Sequence, residues 1–216
     1  RGSAVSVGKL PGGFSVNTDG SASYSIPLEV TPGRGGVQPN LGLIYNSRGG
    51  DGFMGMGWSL SGLSTIRRVP RVLGKDETNR SIQFDDDFID ADNEASTRDR
   101  LVLDDNRLVL IGKTPDGNLE YRTENNNFSK IIGVLEVVGN LGGLNITRLS
   151  YFQVWTKGGL ILEYGRTEDS KIGMYEDRAH TWALNKVQDR FGNIMTISYG
   201  HPLLPPVCIR RLVGNF

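Results

Sequence analysis

Apolar and polar residues alternate in short runs along most of this chain, and turn sequences separate the runs. Between residues 22 and 30 apolar side chains take every second position, which is the period of a strand with one buried face. The best helical candidate, residues 174–184, would give at most about three turns, and it lacks a convincing apolar stripe with caps. We therefore predict an all-β fold of antiparallel hairpins and meanders with little helix, forming a β-sandwich or part of a larger β shell.

The N-terminal region is predicted to contain a hairpin followed by a third strand. The pair Asp19-Gly20 suits the positive dihedrals of a hairpin turn, and it joins a short strand to the strand at 22–30. Pro27 indicates an edge position for that strand, because proline has no N–H to donate to a ladder. After the glycine-rich loop at 32–36, residues 41–46 alternate again and predict the third strand.

The same alternation returns in the second half of the chain. Three short strands separated by turns predict a meander, and two later pairs of strands flank glycine-containing turns and predict hairpins. The meander strands are residues 100–103, 107–111 and 119–122, and the hairpins are 151–164 and 182–199. The charged segment 75–100 is predicted to be an exposed excursion.

Composition limits the classes of function that the chain can have. Lys plus Arg and Asp plus Glu both number 24, so the formal net charge of +0 gives no basic field for nucleic acid. No apolar run approaches the ~18 residues that a membrane span needs, and no leader sequence precedes Ala4. From 216 residues, with 29 glycines for tight turns, we expect a single β-rich domain over residues 1–216, cut from a longer chain.

The segment 50–57 has glycines at the spacing of a dinucleotide-binding loop. In such a loop, bare backbone approaches a pyrophosphate at a helix N-terminus. The residues that follow, 58–62, end in glycine and carry no helical stripe. We therefore predict that 50–57 is a structural turn and that the chain binds no nucleotide cofactor.

Ser59 lies in a sequence close to the nucleophile elbow Gly-x-Ser-x-Gly, but the second glycine, Gly62, comes one residue late. The chain has two histidines, His180 and His201, and a catalytic triad would need one of them beside a serine and an acid. We interpret Ser59 as a turn hydroxyl. We predict no catalytic residue and no enzyme activity.

Aspartates cluster between residues 85 and 92 and could offer carboxylates to a hard cation; they are Asp85, Asp86, Asp87, Asp90 and Asp92. Their spacing differs from that of a calcium loop, so we predict a solvated, metal-free acidic face. The single cysteine, Cys208, cannot form an internal disulfide, and with His201 it does not complete a metal site. We interpret Cys208 as a buried, inert thiol.

Three tryptophans, Trp58, Trp155 and Trp182, leave two interpretations open. They could form an aromatic platform for sugar rings, or they could belong to the core. Because tryptophans within alternating strands are more often core residues, we favour the core.

Five motifs follow one another in the first third of the chain. They are Gly20-Ser-Ala-Ser-Tyr-Ser-Ile-Pro-Leu28, Pro32-Gly-Arg-Gly-Gly36, Gln38-Pro-Asn-Leu41, Tyr45-Asn-Ser47 and Gly55-Met-Gly-Trp-Ser-Leu-Ser-Gly62. In this order they resemble the N-terminal domain shared by Salmonella plasmid virulence protein B and the B subunits of insecticidal toxin complexes. Further similarity at 107–110, 121–124 and 152–170 extends the resemblance over nearly the whole chain. Residues 182–199, with Asp189, Gly192-Asn193 and Tyr199, are also similar to one tyrosine-aspartate (Rhs-type) repeat.

The resemblance implies a non-catalytic structural and packaging domain of a secreted polymorphic or toxin-complex-type protein. In toxin complexes, Rhs-type repeats build a shell around a toxic C-terminal segment, so the implied partners are the rest of the same chain and other toxin-complex subunits. In the Salmonella protein the activity lies in a separate ADP-ribosyltransferase domain with a Glu-x-Glu motif, which this chain lacks. The alternative is a glycan- or protein-binding β module at a cell surface, using Trp58 and the loops around Gly50.

Overall fold

The computed structural model describes residues 12–52, 55–84, 88–89, 99–125, 127–173, 175, 177–200 and 208–210. Antiparallel strands dominate these residues, so the all-β prediction is confirmed. No described helix is long and apolar enough to cross a membrane. The chain divides into two compact units, Arg1–Leu63 and Ser64–Phe216, and the single domain over residues 1–216 stays a prediction.

The described part of the first unit contains six strands. They are β1 Gly13–Val16, β2 Ala22–Pro27, β3 Gly42–Asn46, β4 Asp51–Gly52, β5 Gly55–Met56 and β6 Trp58–Ser61. Strands β1, β2, β3 and β6 form an antiparallel sheet in that order, and β4 pairs with β5. The predicted hairpin and third strand are therefore confirmed. One face of the sheet carries apolar side chains in a row, Phe14, Tyr24, Tyr45 and Trp58.

Pro27 lies in an inner strand, so the edge position predicted for that strand is wrong. Strand β2 runs between β1 and β3, but the pairing with β1 ends opposite Ser25. The N–H of Leu28 donates to Leu41 O at 2.9 Å, on the β3 side. Because neighbouring residues of a strand point their N–H groups in opposite directions, the proline nitrogen faces the side where pairing with β1 has ended. The missing donor therefore breaks no ladder bond.

The described part of the second unit contains twelve strands, among them the longest of the chain's described strands. They are β7 Thr65–Val69, β8 Phe88–Ile89, β9 Arg100–Leu103, β10 Asn106–Lys113, β11 Leu119–Thr123, β12 Lys130–Leu141, β13 Leu144–Trp155, β14 Ile161–Tyr164, β15 Lys171–Ile172, β16 Thr181–Gln188, β17 Ile194–Ser198 and β18 Cys208–Arg210. A single-turn helix, α1, covers Leu73–Asp76, and Glu168–Ser170 form a 3-10 turn.

Eight strands of the second unit close into a ring. Neighbours pair antiparallel in the order β7, β9, β10, β11, β12, β13, β14 and β16, and β16 pairs back with β7. Strands β8 and β15 attach to β13 and β16 beside this ring, while β17 and β18 continue the sheet outward from β16. Closure pairs strands that would otherwise present open edges to other chains.

The interior of the ring is a packed apolar core. Side chains alternate along each strand, so that in β11 Leu119 and Tyr121 are buried while Glu120 between them is partly exposed. The large core side chains with at most 1% exposure are Ile66, Leu119, Ile131, Phe152, Val154, Tyr164 and Trp182. Full burial of a large apolar side chain stabilises a fold by about 1.5–3 kcal/mol, so this core holds the ring closed.

The meander and both later hairpins are confirmed, because β9, β10 and β11 are consecutive neighbours, as are β13 with β14 and β16 with β17. The helical candidate at 174–184 instead leads into strand β16. The described residues at the start of the excursion predicted at 75–100 are mostly exposed, as expected, but the side chain of Asp76 is an exception and is only 3% exposed.

Candidate functional site at the branch strand

Strand β16 belongs both to the closed ring and to the sheet that leaves it. In its N-terminal half, Trp182 pairs with β7 on one edge and with β15 on the other. In its C-terminal half, Val187 pairs with β14 on one edge and with β17 on the other. We call β16 the branch strand, because the ring and the outgoing hairpin meet on it.

Asp189 organises the turn that follows the branch strand. Its Oδ1 accepts the N–H groups of Phe191 at 2.8 Å and Asn193 at 2.9 Å, and its Oδ2 accepts Asn193 Nδ2 at 2.7 Å. The hydrogen bond from the Asn193 side chain is the largest cause that places the pKa of Asp189 below its ordinary value. Gly192 has a φ of 84°, a left-handed conformation that glycine adopts without strain. The turn thus requires the residue types that the predicted repeat unit contains.

Tyr199 fastens the other end of the hairpin. Its hydroxyl donates to Leu184 O in the branch strand at 2.8 Å, and its N–H donates to Asp169 Oδ2 at 2.7 Å. Burial raises the pKa of the Tyr199 phenol to about 12, so the hydroxyl keeps its proton at neutral pH. The residue therefore ties the end of β17 to the branch strand and to the 3-10 turn at Glu168–Ser170.

Trp182 anchors the branch strand in the core of the ring. It is 0% exposed, its Nε1–H donates to Ser150 O at 3.1 Å, and its ring meets Phe152 edge to face at 5.0 Å. Gly165, just after β14, has a φ of 72° and donates its N–H to Ala183 O at 3.0 Å. A Cβ at Gly165 would overlap the Trp182 side chain, so glycine is what lets the two strands approach.

The branch strand and its hairpin can extend a sheet outward. Strand β17 pairs with β16 through Thr196 and Lys186, and it pairs on its far edge with β18. Main-chain hydrogen bonds of this kind join strands whatever their sequence, while alternate side chains set which face is apolar. The hairpin thus joins the strands on both of its sides through main-chain pairing.

The segment 50–57 is a short ladder made by β4 and β5. Strand β6 follows it, where a dinucleotide-binding loop would need a helix. Gly57 has a φ of 79°, and a Cβ there would lie 2.7 Å from both Asn46 O and the Tyr45 ring. Close packing of the backbone therefore requires glycine at this position.

The predicted nucleophile and base candidates have ordinary structural contacts. Ser59 lies in β6, so its interpretation as a turn hydroxyl is wrong, and its Oγ donates to Ile44 O at 3.4 Å. His180 Nδ1 lies 2.9 Å from Thr181 Oγ1. Burial, and after it the charge of Arg68, lowers the pKa of the His180 imidazole. His201 lies outside the described residues.

The five aspartates of the predicted acidic face lie outside the described residues. For Cys208 the structure describes the backbone, in β18. Within the described ranges, no group of three or more His, Cys, Asp or Glu side chains could hold a metal ion. The metal-free acidic face and the buried Cys208 thiol stay predictions.

The three tryptophans do not share one environment. Trp182 is buried in the core as predicted, whereas Trp58 and Trp155 are both partly exposed, so a core position is wrong for them. Trp155 follows the buried residue Val154 along β13 and faces the outside of the ring.

Asp76 is a buried acid that local composition did not reveal. Its Oδ1 accepts Arg100 Nε at 2.7 Å and also accepts Arg107 Nη2, while its Oδ2 accepts the N–H of Val72 at 3.0 Å. Burial raises the pKa of Asp76, but the hydrogen bonds from Arg107 and Arg100 outweigh that effect and hold it well below its usual range. Asp76 thus joins α1 to strands β9 and β10.

Arg68 is a buried cation that the alternation of β7 could have revealed. It lies two residues after Ile66, on the core side, and is 2% exposed. Its guanidinium lies 5.3 Å from the Phe84 ring centroid and 5.0 Å from that of Trp182, and its Nη1 is 3.4 Å from Asp99 Oδ2. The cation–π contact of Arg68 therefore helps to hold Trp182, and with it the branch strand, in the core of the ring.

The ring, the branch strand and the hairpin fastened by Asp189 and Tyr199 define a class: an all-β domain in which a closed ring of strands continues into an outgoing hairpin. A comparison with family models then identifies the family. The model described as Salmonella virulence plasmid 65kDa B protein, SpvB, matches residues 16–202. The chain belongs to the SpvB family, which confirms the resemblance predicted from its ordered motifs.

Two curated relatives and several solved structures are similar to parts of this chain. The mono(ADP-ribosyl)transferases SpvB of Salmonella typhimurium and Salmonella dublin are each 43% identical over 63 residues, which is 27% of this chain and 10% of the relative. The chain thus matches about a tenth of the length of these curated relatives.

Among solved structures, the crystal structure of TcdB2-TccC3 has a TM-score of 0.64 at 18% identity, covering 93% of this chain and 10% of that one. The N-terminal domain of effector protein SpvB from Salmonella typhimurium strain LT2 has a TM-score of 0.57 at 20% identity, covering 81% and 53%. The Photorhabdus luminescens Tc holotoxin pore has a TM-score of 0.60 at 18% identity, covering 92% and 9%. These similarities show a shared fold.

Proposed function

We propose that this chain is a non-catalytic structural domain of a secreted toxin-complex-type protein. It helps to assemble a β shell that encloses or delivers a C-terminal toxin. The observation that carries the proposal is the pairing of the branch strand. It is hydrogen-bonded to two strands of the closed ring, β7 and β14, and also to β17 of the hairpin that continues outward.

A shell built from strands needs a place where its sheet begins. The ring supplies a rigid support, because its strands are paired around the circle and its core is packed. The hairpin supplies the continuation, because β17 offers main-chain groups on the side away from β16, where β18 adds. In repeat proteins, each strand–turn–strand unit contacts only its neighbours, so the addition of units extends the sheet in one direction. The partners of the proposed domain are therefore the rest of its own chain and other toxin-complex subunits.

The polar groups around the branch strand support a structural role rather than a chemical one. Asp189 uses both carboxylate oxygens within its own turn, and Tyr199 uses its hydroxyl and its N–H to join β17 to neighbouring elements. A catalytic acid or base needs an available proton position beside a substrate, whereas these groups are hydrogen-bonded to partners within the hairpin and the elements beside it. In the proposed function, toxic activity belongs to another part of the parent protein.

The test uses the full-length parent protein and measures how well its C-terminal part resists trypsin. A double variant, Asp189→Ala with Tyr199→Phe, removes the hydrogen bonds that these two side chains make in the hairpin but leaves the sequence of the ring strands unchanged. The matched control is Asp105→Ala, at an exposed turn between β9 and β10. We expect the double variant to expose the C-terminal part to trypsin and the control to protect it like the unaltered protein. Equal protection in both variants, or transfer of ADP-ribose from NAD by the isolated chain, would refute the proposal.

A further inference from the structure

An open groove lies on the outer face of the ring, across strands β10 to β13. Its volume is about 390 Å³, within the range of about 300–1,000 Å³ that small-ligand sites occupy. The floor is formed by Ile132 and Val134, and one wall is the turn of residues 113–118 between β10 and β11. The other wall is β13, whose outward side chains Tyr151, Gln153 and Trp155 line the groove. We call it the β13 groove.

The walls of the β13 groove are held in place by internal hydrogen bonds. In the turn, Thr114 N–H donates to Asn118 O at 2.8 Å, and Asn118 Oδ1 accepts the N–H of Leu135 at 3.0 Å. Behind the outward residues of β13, Phe152 and Val154 are buried in the core. The groove is therefore preformed by rigid elements, which lowers the entropy cost of binding.

Several polar groups in the groove are not used by the fold. Within the described part of the chain, the side chains of Gln153, Asp116 and Lys113 have no hydrogen-bond partner, whereas Glu120 pairs with Arg122 at 3.0 Å. An amide both donates and accepts, a carboxylate accepts, and an ammonium donates. A ligand rich in hydroxyl groups satisfies all three, because each hydroxyl can donate and accept.

Trp155 adds a flat apolar surface beside these polar groups. Its ring is partly exposed, and the Lys130 ammonium lies 6.0 Å from the ring centroid, at the outer limit of a cation–π contact. Further along the same strand, the Arg166 guanidinium lies 5.1 Å from the centroid of the Tyr151 ring. Trp155 can therefore accept the apolar face of a ligand ring if the flexible side chain of Lys130 moves aside.

The charges of the groove select against other ligand classes. The lining carries the carboxylates of Asp116 and Glu120 as well as the ammonium groups of Lys113 and Lys130, so a polyanion would meet both signs of charge. A purely apolar ligand would desolvate the Gln153 amide and the Asp116 carboxylate without replacing their bonds to water, which costs free energy. We propose that the β13 groove binds a neutral saccharide, with a sugar ring stacked on Trp155 and hydroxyl groups bonded to Gln153 and Asp116.

The experiment applies the chain to an array of neutral, sialylated and sulfated glycans, and then titrates it with lactose, maltose and chitobiose while recording tryptophan fluorescence. We expect saturable binding to neutral glycans. Trp155→Ala and Gln153→Ala should each weaken that binding, the former by about tenfold, which is the loss that removing one aromatic contact implies. Thermal melting establishes that each variant is folded.

Trp58→Ala is the matched control, because Trp58 is a partly exposed tryptophan on β6 of the first unit. It should leave the affinity for neutral glycans unchanged. The proposal is overturned if no neutral glycan binds, if only sulfated or sialylated glycans bind, or if Trp155→Ala in its folded state binds as well as the unaltered chain. These outcomes do not depend on the scaffold role, which protease protection tests separately.

Discussion

Gly165 and Trp182 are packed so closely that a side chain at residue 165 would fill space the indole already occupies. A Cβ on Gly165 would lie 2.8 Å from both Cβ and Cγ of Trp182 and closer still to Cδ1. The φ of Gly165, 72°, adds a second restriction, because residues with a Cβ are strained there. The contact joins the end of β14 to the branch strand, so the ring closes at this point.

Gly165→Ala should therefore destabilise the chain by about 2–4 kcal/mol, combining backbone strain with overpacking of a buried ring. Urea unfolding followed by circular dichroism measures the change. Gly117→Ala is the matched control, since Gly117 has a φ of 82° and open space around its position, and it should cost only about 1 kcal/mol. If the two variants lose the same stability, packing against Trp182 is not the cause.

Asp76→Asn should destabilise the chain by about 2–4 kcal/mol, because it leaves the guanidinium groups of Arg100 and Arg107 without their carboxylate. The side chain of Asp76 is 3% exposed, so water does not replace the lost partner freely. Urea unfolding at neutral pH gives the magnitude. Asp105→Asn, in an exposed turn, serves as the control and should change the free energy of unfolding by less than about 0.5 kcal/mol. An equal loss in both variants would show that the ion pairs of Asp76 with Arg100 and Arg107 are not the cause.

The contribution of Asp76 should also depend on pH. Its folded-state pKa is held far below that of an unfolded aspartate, so the stabilisation is fully present above the unfolded pKa of about 4. It is lost as the pH falls through the folded-state value. The difference in unfolding free energy between the unaltered chain and Asp76→Asn should therefore shrink as the pH is lowered from 7 towards 3. A difference that stays constant over this range would mean that the carboxylate charge is not what stabilises.

Tyr199→Phe should loosen the outgoing hairpin while the ring stays intact. The variant removes the hydrogen bond to Leu184 O, which contributes about 0.5–1.5 kcal/mol. Hydrogen exchange should show faster exchange of the β17 amides and unchanged protection of β11 and β12. Tyr151→Phe is the control, because no hydrogen bond of the Tyr151 hydroxyl is made within the described residues. Slower or unchanged exchange in β17 would show that Tyr199 does not fasten it.

The local sequence pattern was sufficient to predict those strands in which apolar and polar residues alternate and which are joined by short turns. Strand β11, with Leu119 and Tyr121 inside and Glu120 outside, shows this pattern clearly. Strand β12 was missed because its sequence, Lys130–Leu141, contains glycine and consecutive apolar residues instead of a regular alternation. Strand β7 was missed because Arg67 and Arg68 together suggest a solvated segment, although Arg68 is buried against aromatic rings.

Closure of the ring could not be predicted from local sequence. It depends on pairing between β7 and β16, and between β14 and β16, and the first of these pairs joins segments that are far apart in the chain. The ion pairs of Asp76 could not be predicted for the same reason, since its arginine partners lie in β9 and β10. The hairpin at Asp189 was predicted because its turn and its tyrosine lie within one short segment.

The shared use of the branch strand also sets an order of events for a chain made or exported from its N-terminus. In such a chain β9 follows β7 closely and can pair with one edge of it. The other edge of β7 stays unpaired until β16 has been made or exported. Before β16 is available, the strands of the ring can form only an open sheet with unpaired edge strands, and open edges of this kind favour pairing with other chains. When β16, with Trp182, has paired with β7 and β14, the ring is closed. Strand β17 can then pair with β16 and begin the outgoing sheet.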